Sequence, residues 1–123
     1  MVYDDQIVAP KTLPKTSIVF NLVELEKRPQ FPGGEAKMYQ FIAKNIQYPH
    51  QAKEASIQGK VYIQFVVEID GELTDIKIIR GVDSLLDTEV LKMVKLMPNW
   101  EPGIKNGKKV RAKQFLPVHF TLR

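Results

Sequence analysis

The stretch 59–80, GKVYIQFVVEIDGELTDIKIIR, decides the fold. Val61, Ile63, Phe65, Val67 and Ile69 alternate with Lys60, Tyr62, Gln64, Val66 and Glu68, the period of two that marks a strand with one face turned to a core. Asp70-Gly71 is a dipeptide that tolerates the positive φ of a tight hairpin turn, and Leu73 to Arg80 supplies the returning strand.

Upstream, the period changes to 3.6. Met38, Phe41, Ile42 and Ile46 line one side of a helix expected over 35–46, with Lys37, Gln40 and Lys44 left on the wet side. Tyr48-Pro49 breaks it, because the residue before a proline is pushed out of the α region, and the proline then suits the first turn of a short helix from Pro49 to Ser56. Downstream, Asp83 or Ser84 can cap a third helix, with Asp87 placed to favour its dipole and Leu86, Val90, Met93, Val94 and Met97 on one face. Pro98 ends that helix. A loop with Trp100, Pro102, Gly103 and Asn106-Gly107 follows, and Val110 to Leu122 alternates again. In that last strand Ala112, Leu116, Val118, Phe120 and Leu122 point one way; Arg111, Lys113, Phe115, Pro117, His119 and Thr121 point the other.

The order helix, helix, strand, strand, helix, strand predicts an α+β domain, a three-stranded antiparallel sheet with helices packed on one face. The first hairpin strand is expected at its centre and the last strand at an edge. Residues 1–27 read as a linker or tail, broken by Pro10 and Pro14, with an extra N-terminal strand expected at 18–25; the domain is 28–123.

With 123 residues, 44% apolar and 26% charged, the chain can build one packed core. No cysteine is present, which excludes thiol catalysis, disulfides, iron–sulfur clusters and Cys-type zinc sites. The net charge of +4 is spread through the chain rather than gathered in a basic block, so nucleic acid is not an expected partner. No apolar run approaches the roughly 18 to 20 residues that cross a bilayer. The two histidines, His50 and His119, lie far apart in sequence with no ligand spacing, Gly33-Gly34 lacks the lysine of a phosphate loop, and a lone Trp100 beside Pro102-Gly103 reads as a core plug. Neither a catalytic residue nor a cofactor site is expected.

The assembled motifs resemble the C-terminal domain of TonB, the periplasmic energy transducer of Gram-negative bacteria. Phe31-Pro32-Gly33-Gly34-Glu35 is similar to the head of one large subgroup, and Gln47-Tyr48-Pro49 to the family's tyrosine-proline motif. Ile57-Gln58-Gly59-Lys60-Val61, Phe65-Val66-Val67 and Asp70-Gly71 resemble its first hairpin. Arg80-Gly81-Val82-Asp83 and Leu86-Asp87 resemble its helix start, Met97-Pro98-Asn99-Trp100-Glu101-Pro102-Gly103 its tryptophan-proline-glycine element, and Leu116-Pro117-Val118-His119-Phe120 its closing strand.

The resemblance implies a binding module, not an enzyme. Domains of this family grip the TonB box, a short segment of outer-membrane active transporters, which adds as a strand beside the last strand. The expected contact residues are Gln47, Tyr48 and Pro49 with Val110, Arg111, Ala112, Lys113, Gln114, Phe115, Leu116, Val118 and His119. Such strand addition draws affinity from main-chain hydrogen bonds and specificity from alternate side chains. Pro117 cannot donate to it, so pairing is expected to be best between Val110 and Leu116. Force would come from an inner-membrane proton-channel complex through an N-terminal anchor and proline-rich spacer that these residues do not contain. The chain then reads as a periplasmic domain cut from a longer protein anchored in the inner membrane. The alternative is the C-terminal partner-binding module of a membrane-anchored sensor peptidase; a stand-alone hydrolase or nucleic-acid binder is a third reading without a motif behind it. An unpaired edge also allows a homodimer, and the β-prone segment Ile18 to Leu25 is expected to lie along that edge, in competition with the partner strand.

Overall fold

A computed structural model describes residues 18–122. The alternating stretches become β2 (Gly59–Val67) and β3 (Leu73–Arg80), joined by the Asp70-Gly71 turn. Gly71 sits at φ +91, and a Cβ there would lie 2.2 Å from the carbonyl oxygen of Trp100, so both the turn and the close approach require glycine. The helical stretches become α1 (Glu35–Asn45), α2 (His50–Glu54) and α3 (Ser84–Lys95). Asp83 caps α3, its carboxylate accepting the Leu85 N–H at 2.9 Å.

The last strand, β5, spans Lys108–Phe120. It pairs antiparallel with β2, and β2 pairs antiparallel with β3, so the first hairpin strand is central as expected. The sheet has five strands rather than three. β1 (Val19–Phe20) lies parallel to β5 on the side away from β2. Of the strand expected at 18–25 only these two residues pair; Leu22–Glu24 turns as a single 3-10 coil, with the Glu24 carboxylate accepting the Asn21 N–H. β4 (Gly103–Lys105) falls in the expected loop and pairs with β5 through the Asn106-Gly107 turn, whose φ values of 53° and 74° suit a two-residue hairpin. Consequently β5 is an edge strand along only part of its length.

All three helices cover one face. Met38 of α1, Ala52 of α2 and Leu86, Val90, Met93 and Val94 of α3 close over Val61, Ile63, Phe65 and Val67, with Leu116, Val118 and Phe120 from β5. Trp100 plugs the end of this core. Its ring stands edge-on to Phe65 at 5.3 Å and to Phe31 at 5.9 Å, and the Trp100 backbone N–H donates to the Gly71 carbonyl at 2.9 Å.

Candidate strand-docking edge

β5 is held on one flank by β2 in nine consecutive pairs, from Gly59↔Phe120 to Val67↔Ala112, without a bulge. The other flank is divided. Arg111 and Ala112 pair there with Val19 and Phe20 of β1, while the launching end of β5, Lys108 to Val110, pairs with β4. From Lys113 to Phe120 no strand lies on this flank among the described residues.

Side chains along β5 alternate as the sequence predicts. Ala112, Leu116 and Val118 are buried and can offer a partner only their backbone. Gln114 shares their side, opposite Phe65; its Nε2 donates to the Phe115 carbonyl at 3.1 Å and its Oε1 is buried. On the helix-free side, Phe115 is 44% exposed, Pro117 and His119 are exposed, and Lys113 is half-buried. Arg111 is committed within the chain: its Nε lies 2.7 Å from Glu68 Oε1 and its Nη2 3.1 Å from Oε2, a two-pronged ion pair at the end of β2. The Thr74 hydroxyl bonds to the same carboxylate. The sequence carries no signal for this clamp, because Arg111 reads there as one more outward-pointing cation.

The tyrosine-proline turn meets the far end of the same strand. The Tyr48 ring stands edge-on to Phe120 at 5.4 Å, and its hydroxyl donates to the Ile57 carbonyl ahead of β2. Pro49 is half-buried at the start of α2, where its carbonyl accepts from Ala52 and Lys53. Gln47 is exposed, and its N–H donates to Glu89 Oε1 of α3 at 3.3 Å. The structure therefore brings Gln47, Tyr48 and Pro49 to the C-terminal end of β5. It leaves Val110, Arg111 and Ala112 at the opposite end, roughly 30 Å away at the rise of an extended strand.

The second edge of the sheet, the outer flank of β3, is built differently. Against β2 its register slips twice, between Tyr62 and Ile63 and between Gln64 and Val66. Each slip is a bulge in β3: Ile79 is the extra residue between the pairs made by Ile78 and Arg80, and Asp75 adopts φ +49 at the other. The remaining candidates lie outside these edges. His50 Nε2 lies 3.1 Å from Glu54 Oε2 on the exposed face of α2, and His119 stands opposite Lys60 on the helix-free face.

Comparison with known proteins agrees with this architecture. The family model described as "Gram-negative bacterial TonB protein C-terminal" matches residues 44–122. Two solution structures of the Helicobacter pylori TonB C-terminal domain are similar. The longer form is 25% identical over 72% of this chain and 79% of its own, with a TM-score of 0.57. The shorter is also 25% identical, over 70% of this chain and 90% of its own, with a TM-score of 0.52. No curated protein matches.

Proposed function

The chain belongs to the TonB C-terminal domain family, and on that premise we propose that it is the periplasmic binding module of a TonB-type energy transducer. In this reading it docks the TonB box of outer-membrane transporters by strand addition to β5 and passes on force from an inner-membrane proton-driven complex. Its role is mechanical binding rather than catalysis.

One observation carries the reading: β5 presents an unbulged flank from Lys113 to Phe120, ending where Tyr48 packs on Phe120. An unpaired regular strand exposes a row of N–H and C=O groups, the template that strand addition uses. Pro117 fits this use. It pairs with Tyr62 without disturbing the register, as a proline does when its nitrogen faces the free side. Alternation along the strand then sends the backbone groups of Lys113, Phe115 and His119 to that side too, and those of Gln114 towards β2. Gln47 and Pro49 sit beside the end of the flank as further contacts.

The test is an NMR titration of the isotope-labelled chain with synthetic TonB-box peptides from transporters of the same genome. Shifts concentrated at Lys113 to Phe120 and at Gln47 to Pro49 are expected. The absence of shifts at millimolar peptide would overturn the reading.

A further inference from the structure

The segment ahead of the family match does more than precede the domain. Beyond Phe20 the backbone leaves β5 at Asn21, and Leu22–Glu24 reverses it. It is then fastened to the hairpin that launches β5. Glu26 N–H and Lys27 N–H both donate to the Ile104 carbonyl, and the Ile104 N–H returns a bond to Lys27. The Glu26 carboxylate accepts the N–H groups of Asn106 and Gly107 at 2.7 and 3.2 Å. Lys105 Nζ bonds to the Glu24 carbonyl at 3.2 Å and stands 5.5 Å from the centre of the Phe20 ring. Leu25 lies so near Gly103 that a Cβ there would sit 2.8 Å from its Cδ1. The two-residue strand is thus followed directly by a segment, Glu24 to Lys27, that is bonded to β4 and the hairpin turn.

We propose that β1 and this fastening are a register stop: they close the β5 flank at Arg111 and Ala112, so that an added strand must begin at Lys113. The inference rests on the strand-addition reading and concerns the frame in which the partner sits. A slip of one residue between paired strands moves every side chain to the opposite face, so a fixed starting point decides which partner side chains meet Phe115 and His119 and which meet Gln114 and Leu116. A flat, regular strand has no bulge of its own to set that frame, and β5 has none. The stop lies outside residues 44–122, the part of the chain shared with the family model.

The experiment compares the full chain with a variant lacking residues 1–20, which keeps the Glu26 and Lys27 bonds. Each is titrated with TonB-box peptides of six and ten residues carrying a nitroxide at one end. With the full chain, relaxation broadening from the label is expected at one end of the Lys113 to Phe120 stretch only, and both peptides bind alike. With the shortened chain, broadening should spread to Val110 and Ala112, and the ten-residue peptide should gain about tenfold in affinity from the added main-chain bonds while the six-residue peptide stays within about twofold. Identical broadening and unchanged length dependence, with both peptides still bound on β5, would overturn the stop and leave the docking reading standing. Failure of either chain to bind any peptide would overturn both. Unchanged amide shifts in the helices of the shortened chain serve as the control that it folds.

Discussion

The two edges of this sheet solve the same physical problem in opposite ways. An edge strand offers unpaired backbone groups to any passing chain, and natural sheets blunt that offer with bulges, charges or covering segments. On β3 the blunting is complete within a short strand: two bulges break the ladder spacing, and Asp75 and Lys77 stand on it with their charged groups 3.9 Å apart. On β5 the flank is covered for two residues by β1 and then left straight. Disorder of register is thus confined to the edge that should stay unpaired, and regularity is kept where pairing is proposed. The difference supports β5, rather than β3, as the edge proposed for docking.

The sharpest way to break this comparison is a proline placed on each parity of β5. Gln114→Pro removes a donor facing β2 and should destabilise the domain by about 3 kcal/mol or more, read as loss of the cooperative thermal transition. Phe115→Pro removes a donor facing the free flank, and should leave folding near the parent while weakening TonB-box peptide binding about tenfold. Equal loss of stability in the two variants would mean that the parity inferred from Pro117 is wrong.

Removing the blunting from β3 comes next. Deleting Ile79 restores the register between the pairs at Ile78 and Arg80, and should give a second open edge; sedimentation velocity is expected to show concentration-dependent dimers or larger species. A mass unchanged over the accessible concentration range would show that the bulge does not protect that edge.

Smaller still is the backbone effect at the other bulge. Asp75 tolerates φ +49 because a short polar side chain can visit the left-handed region, whereas a β-branched one cannot do so without strain. Asp75→Val should lower stability by about 1–2 kcal/mol and Asp75→Gly should not, as measured by urea unfolding. The smallest expected effect belongs to Lys113→Glu on the open flank, which should change peptide affinity by no more than about threefold while altering its salt dependence.

Much of this was legible before any coordinates. The hairpin of β2 and β3 follows from the unbroken period of two in β2 and one Asp-Gly turn, and the helices from Met38-Phe41-Ile42 and Leu86-Val90-Met93-Val94. The alternation of β5 also reads correctly, so the buried and outward residues of the proposed edge are those the pattern names. The bulges were half-visible. Apolar residues at 73, 76 and 78 change phase midway, a shift that a flat strand would not tolerate, but the pattern reads as a simple return strand. β4 hides for a different reason: it is three residues long, and its Asn106-Gly107 turn sits among prolines and lysines that resemble a loop. β1 is shorter again, and its pairing is decided by the bonds of Glu24, Glu26 and Lys27 to β4, all of them distant in sequence. The expected contacts at Val110 to Ala112 lie where β4 and β1 already pair with β5, in two strands too short for the pattern to show.

The hold of Glu26 on the hairpin turn also bears on how the protein ages. Asn-Gly pairs lose ammonia when the glycine nitrogen attacks the asparagine side chain, and this pair sits exposed at a turn. Here the Gly107 N–H is engaged by Glu26 Oε1 and the neighbouring Asn106 N–H by Oε2, so the attacking nitrogen is held in its hydrogen bond. Glu26 therefore acts as a preservative for the turn that launches the longest strand, and Glu26→Ala should speed conversion of Asn106 to acidic products on prolonged incubation, followed by peptide mapping. Equal conversion in the two chains would remove that role from the carboxylate.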